Sequence, residues 1–267
     1  MQIVIGFLLA SIVASLAYRL HSLDRSGAIA ATVVGTVVFG IGVLEWAVLL
    51  LVFFITSSGL SRLFKKRKQE LEEKFSKGHE RDAGQVLGNG GLATLFAALH
   101  AFFPDSILLW VGFAASLAAV NADTWATELG VLNPTPPRMI TNIRKRVEKG
   151  TSGGISLFGT LASLLGSAAI ALPAVLLSPT GNLVTAHFLL ITLAGLGGSL
   201  FDSLLGATAQ AMYYCPADKK ETEKHPMHTC GTATVHIRGW TWLDNDRVNF
   251  ACGAFGVLLT WIGERLL

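Results

Sequence analysis

The sequence predicts an all-α fold, a polytopic membrane helix bundle of about eight transmembrane helices. The first observation is composition: 51% of the 267 residues are hydrophobic, 15% are charged, and the mean hydropathy is +0.52. Globular chains average about 25% charged residues. The second is a series of apolar runs close to the roughly 20 residues that cross a bilayer as a helix. The third is a one-sided distribution of basic residues.

Eight apolar segments are predicted to span the membrane: 1–18, 27–44, 46–62, 86–103, 106–129, 154–177, 186–209 and 247–264. The first lacks the basic start and clean cleavage site of a signal peptide, so it is predicted as a span. Together they indicate a single integral membrane domain over residues 1–267, with soluble loops at about 63–85, 130–153 and 210–246. Within the first loop, the charged segment 64–80 is expected to form a solvated helix at the bilayer boundary.

Basic residues predict the orientation. Of the 21 Lys and Arg residues, 20 lie in alternate connections that share one side of the predicted bundle. The positive-inside rule makes that side cytoplasmic, or its topological equivalent, and places both termini on the opposite side. No basic stripe is interleaved with stacking aromatics, so the sequence argues against nucleic-acid binding.

Small residues open three spans from the basic side, in the segments 26–29, 89–92 and 152–155. Repeated helix hairpins related by duplication would explain the pattern, and repeat interfaces often hold sites. Small residues also start helices and permit close helix packing, which leaves the simpler alternative open.

Two spans carry carboxylates where hydrocarbon disfavours them. Asp123 and Glu128 end the fifth span, and Asp202 lies in the seventh. A charge at a helix centre costs roughly 2.5–3.5 kcal/mol on insertion scales, so such groups mark functional sites. Oxygen-only ligands suit Mg²⁺, and we predict Asp123 and Asp202 as its ligands, with Glu128 as a third and Asn121 or Ser203 in support. A buried ion pair of Asp123 with Arg81 or Arg144 is the structural alternative.

A glycine-rich run on the basic side predicts an anion site. Gly150, Thr151, Ser152, Gly153 and Gly154 lead into the sixth span, where helix-start amides favour phosphate. Nearby polar and basic residues strengthen the prediction, namely Arg81, Asn89, Arg144 and Lys149. Close helix crossing is the alternative use of these glycines.

The longest loop contains two cysteines and two histidines that could hold zinc. Cys215 is followed by Asp218, His225, His228 and Cys230. The usual C-x-x-C pair is missing because Asp218 stands at the place of the second cysteine, so the sequence favours a folded, metal-free loop over zinc. A location on the cytosolic side argues against a disulfide.

These motifs resemble a family of multi-pass proteins that includes phytyl-phosphate kinase of the vitamin E pathway and transmembrane protein 19. The matching blocks are 81–87 with 89–91, 122–130, 150–156, 202–207 and 245–249, and the resemblance runs from about residue 20 to the end. The cysteine-rich block of the family departs from its pattern here at Asp218.

The resemblance implies transfer of the terminal phosphoryl group of a nucleoside triphosphate, CTP or another, to an isoprenoid monophosphate. It implies Mg²⁺ on Asp123 and Asp202 with Glu128, and phosphate contacts from Arg81, Lys149 and the 150–154 amides. The partners would be the nucleotide, the lipid phosphate and the bilayer, and a homo-oligomer is compatible with the sequence. Two alternatives stay open, a lipid-phosphate nucleotidyltransferase and a cation- or proton-coupled transporter.

Overall fold

The computed structural model describes residues 1–64, 80–178 and 185–266. The predicted boundary helix at 64–80 therefore lies almost wholly outside the described residues. Within them are eight α-helices, one for each predicted span, which confirms the helical bundle. They are α1 Gln2–Arg19, α2 Arg25–Ile41, α3 Leu44–Leu63, α4 Ala83–His100, α5 Ile107–Gly130, α6 Leu157–Leu176, α7 Thr185–Thr208 and α8 Asn245–Glu264.

Five of these helices are long and apolar enough to cross a membrane by themselves: α1, α3, α5, α6 and α7. Helix α2 is apolar but shorter, at 17 residues. Helices α4 and α8 carry polar side chains in their first two turns, including Gln85, Asn89 and Asn249. Polar side chains therefore lie at the end of the bundle where α4 and α8 begin.

Helix α5 is the centre of the bundle. Every residue from Leu109 to Ala122 is buried, and α3, α4, α6, α7 and α8 pack around it. Close approach depends on small residues, since a Cβ at Gly198 would lie 2.6 Å from the Cβ of Ala119 and one at Gly256 would lie 2.8 Å from it. In lipid there is no hydrophobic driving force between helices, so their association depends on the close packing that small interface residues permit.

Four helices begin at the same end of the bundle with a side-chain cap. Asp24, Asp82, Ser156 and Asp244 accept hydrogen bonds from backbone N–H groups in the first turns of α2, α4, α6 and α8. Each cap satisfies one of the four unpaired N–H groups of a helix start. This arrangement accords with repeated hairpins, which remain a prediction. We refer to this end as the capped end.

The loops at the capped end contain two small antiparallel sheets that the sequence did not indicate. The first has the order β2-β1-β3, with β1 Arg138–Met139, β2 Asn142–Arg146 and β3 Gly154–Ile155. The second has the order β5-β4-β6, with β4 Met212–Cys215, β5 Lys220–Thr222 and β6 Val235–Arg238. Strands of two to five residues carry too little periodicity to be recognised from sequence.

Candidate active site

A polar cavity of about 290 Å³ opens at the capped end of the bundle. Helices α3 to α8, the 149–156 segment and the start of the second sheet contribute to its wall. Nearly all of the residues predicted for the site line it, from Arg81, Asn89, Asp123, Glu128 and Lys149 to Gly150, Thr151, Ser152, Gly153, Gly154 and Asp202. The fold thus brings together side chains from widely separated segments.

Asp123 and Asp202 approach each other from α5 and α7. The hydroxyl of Ser199 donates to Oδ1 of Asp123 at 3.4 Å. The carboxylates of Asp123 and Glu223 lie near enough to Asp202 to act on it electrostatically. Oδ2 of Asp202 is buried and has no hydrogen-bond partner among the described residues. A buried carboxylate oxygen without a donor is costly unless a cation satisfies it.

The residues at this point fit a magnesium ion. Carboxylates and hydroxyls are hard oxygen donors, and Mg²⁺ is bound by one or two carboxylates together with substrate phosphates. Asp123, Asp202 and the neighbouring Ser203 supply such donors to the same cavity. A cation bound here would satisfy Oδ2 of Asp202, which has no hydrogen-bond partner among the described residues.

Glu128 has protein partners of its own. Its side chain is buried, and Oε1 accepts a hydrogen bond of 2.8 Å from the hydroxyl of Ser61. The negative charge of Glu128 also acts on Arg81: burial lowers the pKa of Arg81, and Glu128 opposes that shift. Glu128 is therefore an electrostatic partner of Arg81. The ion pair of Arg81 with Asp123 stays an alternative.

The backbone of Arg81 is held in place by the turn before α2. Its N–H donates to the carbonyl of Ser22 at 3.1 Å, and its own carbonyl accepts from the N–H of Asp24 at 3.1 Å. Gly27 faces that carbonyl so closely that a Cβ would lie 1.9 Å from the oxygen. Next in the chain, Asp82 and Gln85 form a capping box that starts α4. Arg81 therefore enters the cavity from a fixed backbone.

The glycine-rich segment forms a turn and a strand instead of a helix start. Gly150 and Gly153 have φ values of 77° and 84°, and the N–H groups of Thr151 and Gly154 donate to backbone carbonyls. Helix α6 begins only at Leu157, after its cap. The expectation that these residues open the sixth span is wrong, because the run ends in β3 at Gly154, and Ile155 and the cap Ser156 intervene before the helix. The segment nevertheless lines the polar cavity.

A substitution at Gly153 tests whether this turn shapes the cavity. A Cβ there would lie 2.5 Å from the Cβ of Ala207, and the left-handed backbone adds about 1–2 kcal/mol of strain for a residue other than glycine. We expect Gly153→Ala to lower the Tm in detergent. Gly59→Ala is the matched control, because a Cβ at Gly59 meets nothing within 4 Å. Equal Tm values for the two variants would contradict the packing described here.

Two residues considered in the sequence analysis lie elsewhere. Arg144 is exposed on β2 and is not part of the cavity wall. Asn121, considered there as a support for the metal ligands, is fully buried; its Nδ2 donates to the carbonyl of Gly166 at 2.7 Å, and its Oδ1 accepts from Thr56. Asn121 therefore joins α5 to α6 and α3.

The cavity also contains residues that the sequence analysis did not single out. Glu223 faces Asp202 from the loop after β5, and Nε2 of Gln210 donates to its Oε1 at 2.9 Å. Oε1 of Gln210 accepts from the hydroxyl of Ser152 at 2.9 Å. Five of the six residues in the segment 219–224 are charged, and no sequence pattern distinguishes Glu223 as the one that turns inward.

An apolar cavity of about 70 Å³ adjoins the polar one. Its wall comes mainly from apolar side chains of α1, α2 and α3. Three residues line both cavities, namely Arg81, Gln85 and Asn89. The guanidinium of Arg81 also lies over the ring of Phe53, 5.8 Å from its centroid. The two cavities therefore share a part of their wall that contains one cation and two amides.

Comparison with known proteins agrees with this architecture. Residues 8–257 match the family described as integral membrane protein DUF92. The chain belongs to this family. It is accordingly an integral, multi-pass membrane protein, and the resemblance drawn from the sequence motifs is confirmed at the level of the family.

Within the family, the chain is 34% identical over 280 residues to Protein PGR of Arabidopsis thaliana, covering 97% of this chain and 93% of that protein. It is 35% identical over 208 residues to an uncharacterized membrane protein of Methanocaldococcus jannaschii, covering 77% and 82%. It is 28% identical over 251 residues to Protein VTE6, chloroplastic, of Arabidopsis thaliana, covering 92% and 66%. No solved structure matches the chain significantly.

Proposed function

We propose that this DUF92 protein is an isoprenoid monophosphate kinase, which transfers a phosphoryl group from a nucleoside triphosphate to a membrane-embedded prenyl or phytyl-like phosphate. The observation that carries the proposal is the shared wall of the two cavities. A substrate with an apolar chain and an anionic head would place the chain beside α1, α2 and α3 and the head beside Arg81. The resemblance to the phytyl-phosphate kinase family supports the same substrate class.

The charges of the polar cavity support a reaction that uses a divalent cation. Four carboxylates line its described part, against the two cationic side chains of Arg81 and Lys149. Such a cavity repels a triphosphate unless a cation joins them. Asp123 and Asp202 would hold Mg²⁺, with Glu223 beside them. Bound there, Mg²⁺ would neutralise phosphate oxygens as charge develops during transfer.

The reaction itself demands little acid–base chemistry from the protein. An oxygen of the lipid phosphate attacks the terminal phosphorus, a new P–O bond forms, and the bond to the leaving nucleoside diphosphate breaks. The attacking oxygen is already anionic, so no general base is required. Catalysis then consists of positioning and charge neutralisation. Arg81 would hold the acceptor phosphate, and Lys149, whose Nζ donates to the carbonyl of Val131 at 3.0 Å, would hold the donor.

The polar cavity opens at the capped end, where the described basic loops 130–153 and 210–246 also lie. The positive-inside rule therefore supports a cavity on the cytoplasmic side. Soluble nucleotides would enter there, and the lipid would enter from the bilayer.

The direct test is identification of the lipid product. Purified protein is incubated with Mg²⁺, each of the common nucleoside triphosphates and phytyl or geranylgeranyl monophosphate, and the lipids are analysed by mass spectrometry. The proposal predicts the prenyl diphosphate. A nucleotide joined to the lipid phosphate would show a nucleotidyltransferase. Absence of any new lipid with all combinations would overturn the kinase proposal for those lipids.

A substitution in the apolar cavity tests where the lipid chain lies. Ala31 lines this cavity and is half-buried, whereas Ile29 on the same helix is 70% exposed on the outer surface. We expect Ala31→Phe to raise the KM for phytyl phosphate about tenfold, because the ring fills space that the chain would occupy. Ile29→Phe should leave the KM unchanged. Equal KM values for the two variants would place the chain elsewhere.

A further inference from the structure

The second sheet brings four potential metal ligands together, and none of them is among the residues that line the polar cavity. They are Cys215, Asp218, His228 and Cys230, and their ligand atoms all lie within 4.8 Å of one another. Cys215 ends β4 and Asp218 lies in the turn to β5, whereas His228 and Cys230 belong to a later turn before β6. We propose that this cluster is a structural zinc site.

The distances within the cluster match a tetrahedral metal better than a disulfide. The two sulfur atoms are 3.5 Å apart. Zn–S bonds of about 2.3 Å in a tetrahedron place two sulfurs about 3.8 Å apart. A disulfide requires about 2.05 Å. The carboxylate of Asp218 lies 3.7 Å from the sulfur of Cys215 and 2.8 Å from Nδ1 of His228, so the oxygen and nitrogen ligands surround the same point.

The ligand chemistry selects zinc. Two thiolates are soft donors that magnesium and calcium bind poorly, and imidazole suits zinc as well. Asp218 occupies the place that the second cysteine of a C-x-x-C pair would take, and a carboxylate is itself a zinc ligand. The sequence favoured a metal-free loop because the replacement of the second cysteine by Asp218 was taken as the loss of a metal ligand. The structure instead places its carboxylate within the cluster.

Backbone hydrogen bonds hold the ligands in place, as they commonly do in metal sites. The N–H of Asp218 donates to the sulfur of Cys215 at 3.5 Å, an interaction that stabilises a thiolate. The turn that presents the other pair is closed by a hydrogen bond of 2.9 Å from the N–H of Gly231 to the carbonyl of His228. Cys215 and His228 are buried, whereas Asp218 and Cys230 are exposed, which gives a metal a path of entry.

The second sheet has few other means of holding its shape. Its strands have three or four residues, and its buried apolar side chains are confined to β4, in Met212, Tyr213 and Cys215. Small structural units with too little apolar core commonly depend on a metal or disulfide. The loop between the two ligand pairs also contains Glu223, which faces Asp202 in the polar cavity. Zinc would thus fix the loop that supplies a wall of that cavity.

Metal content of the full chain in detergent tests the proposal without reference to activity. Wild-type protein should contain about one zinc per chain by mass spectrometry of the metal. Cys215→Ser and His228→Ala should lower the zinc affinity by at least about tenfold. Cys252→Ser is the matched control, because Cys252 is buried in α8 and belongs to no described metal cluster; it should retain the metal.

Two variants of Asp218 separate metal binding from a merely structural hydrogen bond. Asp218→Asn keeps a polar side chain of the same shape but should lose zinc, whereas Asp218→Cys should bind it at least as tightly as wild type. Added Co²⁺ should give the visible spectrum of a tetrahedral thiolate site in wild type and Asp218→Cys.

Stripping zinc from wild-type protein with a chelator should lower its Tm. This test needs no variant, so it can be made even if the ligand variants fail to fold. Wild-type protein that neither contains zinc nor takes up zinc or Co²⁺ would overturn the proposal, as would a Cys215–Cys230 disulfide in the purified chain.

Discussion

Replacing Asp202 by asparagine should reduce phosphoryl transfer by about 100- to 1,000-fold while the protein remains folded. The buried Oδ2 of Asp202 has no hydrogen-bond partner in the described part of the chain, so it is available to a cation. The asparagine side chain would lack the negative charge that holds the cation. Asp123→Asn should have an effect of similar size, since both carboxylates approach the same point. The measurement is kcat/KM at saturating Mg²⁺, together with the Tm of each variant in detergent.

Asp105→Asn is the matched control for these two variants. Asp105 is exposed in the connection between α4 and α5, far from the capped end, so its loss should leave kcat/KM unchanged. The metal assignment also predicts that the apparent affinity for Mg²⁺ falls in Asp202→Asn and not in Asp105→Asn. If Asp202→Asn turned over at the wild-type rate, Asp202 would have no role in the reaction.

Replacing Arg81 by methionine should lower kcat/KM by about 100- to 1,000-fold, because a cation at the boundary of the two cavities is lost. It should also lower the stability by about 1–3 kcal/mol, since Glu128 is buried and loses an electrostatic partner. The first effect is measured by kinetics with the lipid phosphate, and the second by the Tm in detergent.

The double variant Arg81→Met with Glu128→Gln separates these two effects. Removing the charge of Glu128 should restore most of the lost stability, because its hydrogen bond from Ser61 can persist with an amide. It should not restore turnover. Recovery of both stability and turnover in the double variant would show that Arg81 serves only to neutralise Glu128.

The sequence predicted the spans and the principal carboxylates because each leaves a local signal. Twenty apolar residues are recognisable without tertiary structure, and Asp123 and Asp202 stand out against apolar neighbours. Arg144 and Glu223 show the limit of such reasoning. Both lie in charged loops, and only the pairing of β1 with β2 and of β4 with β5 decides that Arg144 is exposed and Glu223 faces inward.

The glycine-rich run 150–154 was recognisable from the sequence, but the roles of individual glycines, there and elsewhere, were not. Gly153 serves a left-handed turn against Ala207, and Gly88 lies inside α4, where a Cβ would meet the carbonyl of Asp246 at 2.6 Å. An anion-binding helix start and a close packing contact use the same residue type, so spacing does not distinguish them. The aspartate at position 218 was similarly ambiguous until its carboxylate was placed beside two sulfurs.

We propose that the terminal phosphoryl group is transferred in the polar cavity to a lipid phosphate whose chain lies in the adjoining cavity. Labelled phosphorus, followed in a single turnover, tests this proposal most directly. Purified protein is given phytyl monophosphate with nucleoside triphosphates labelled either at the γ or at the α phosphorus. The γ label should appear in the lipid diphosphate, and the α label should remain in the released nucleoside diphosphate. The α label in the lipid, or no label from either nucleotide with any of the common nucleoside triphosphates, would contradict it.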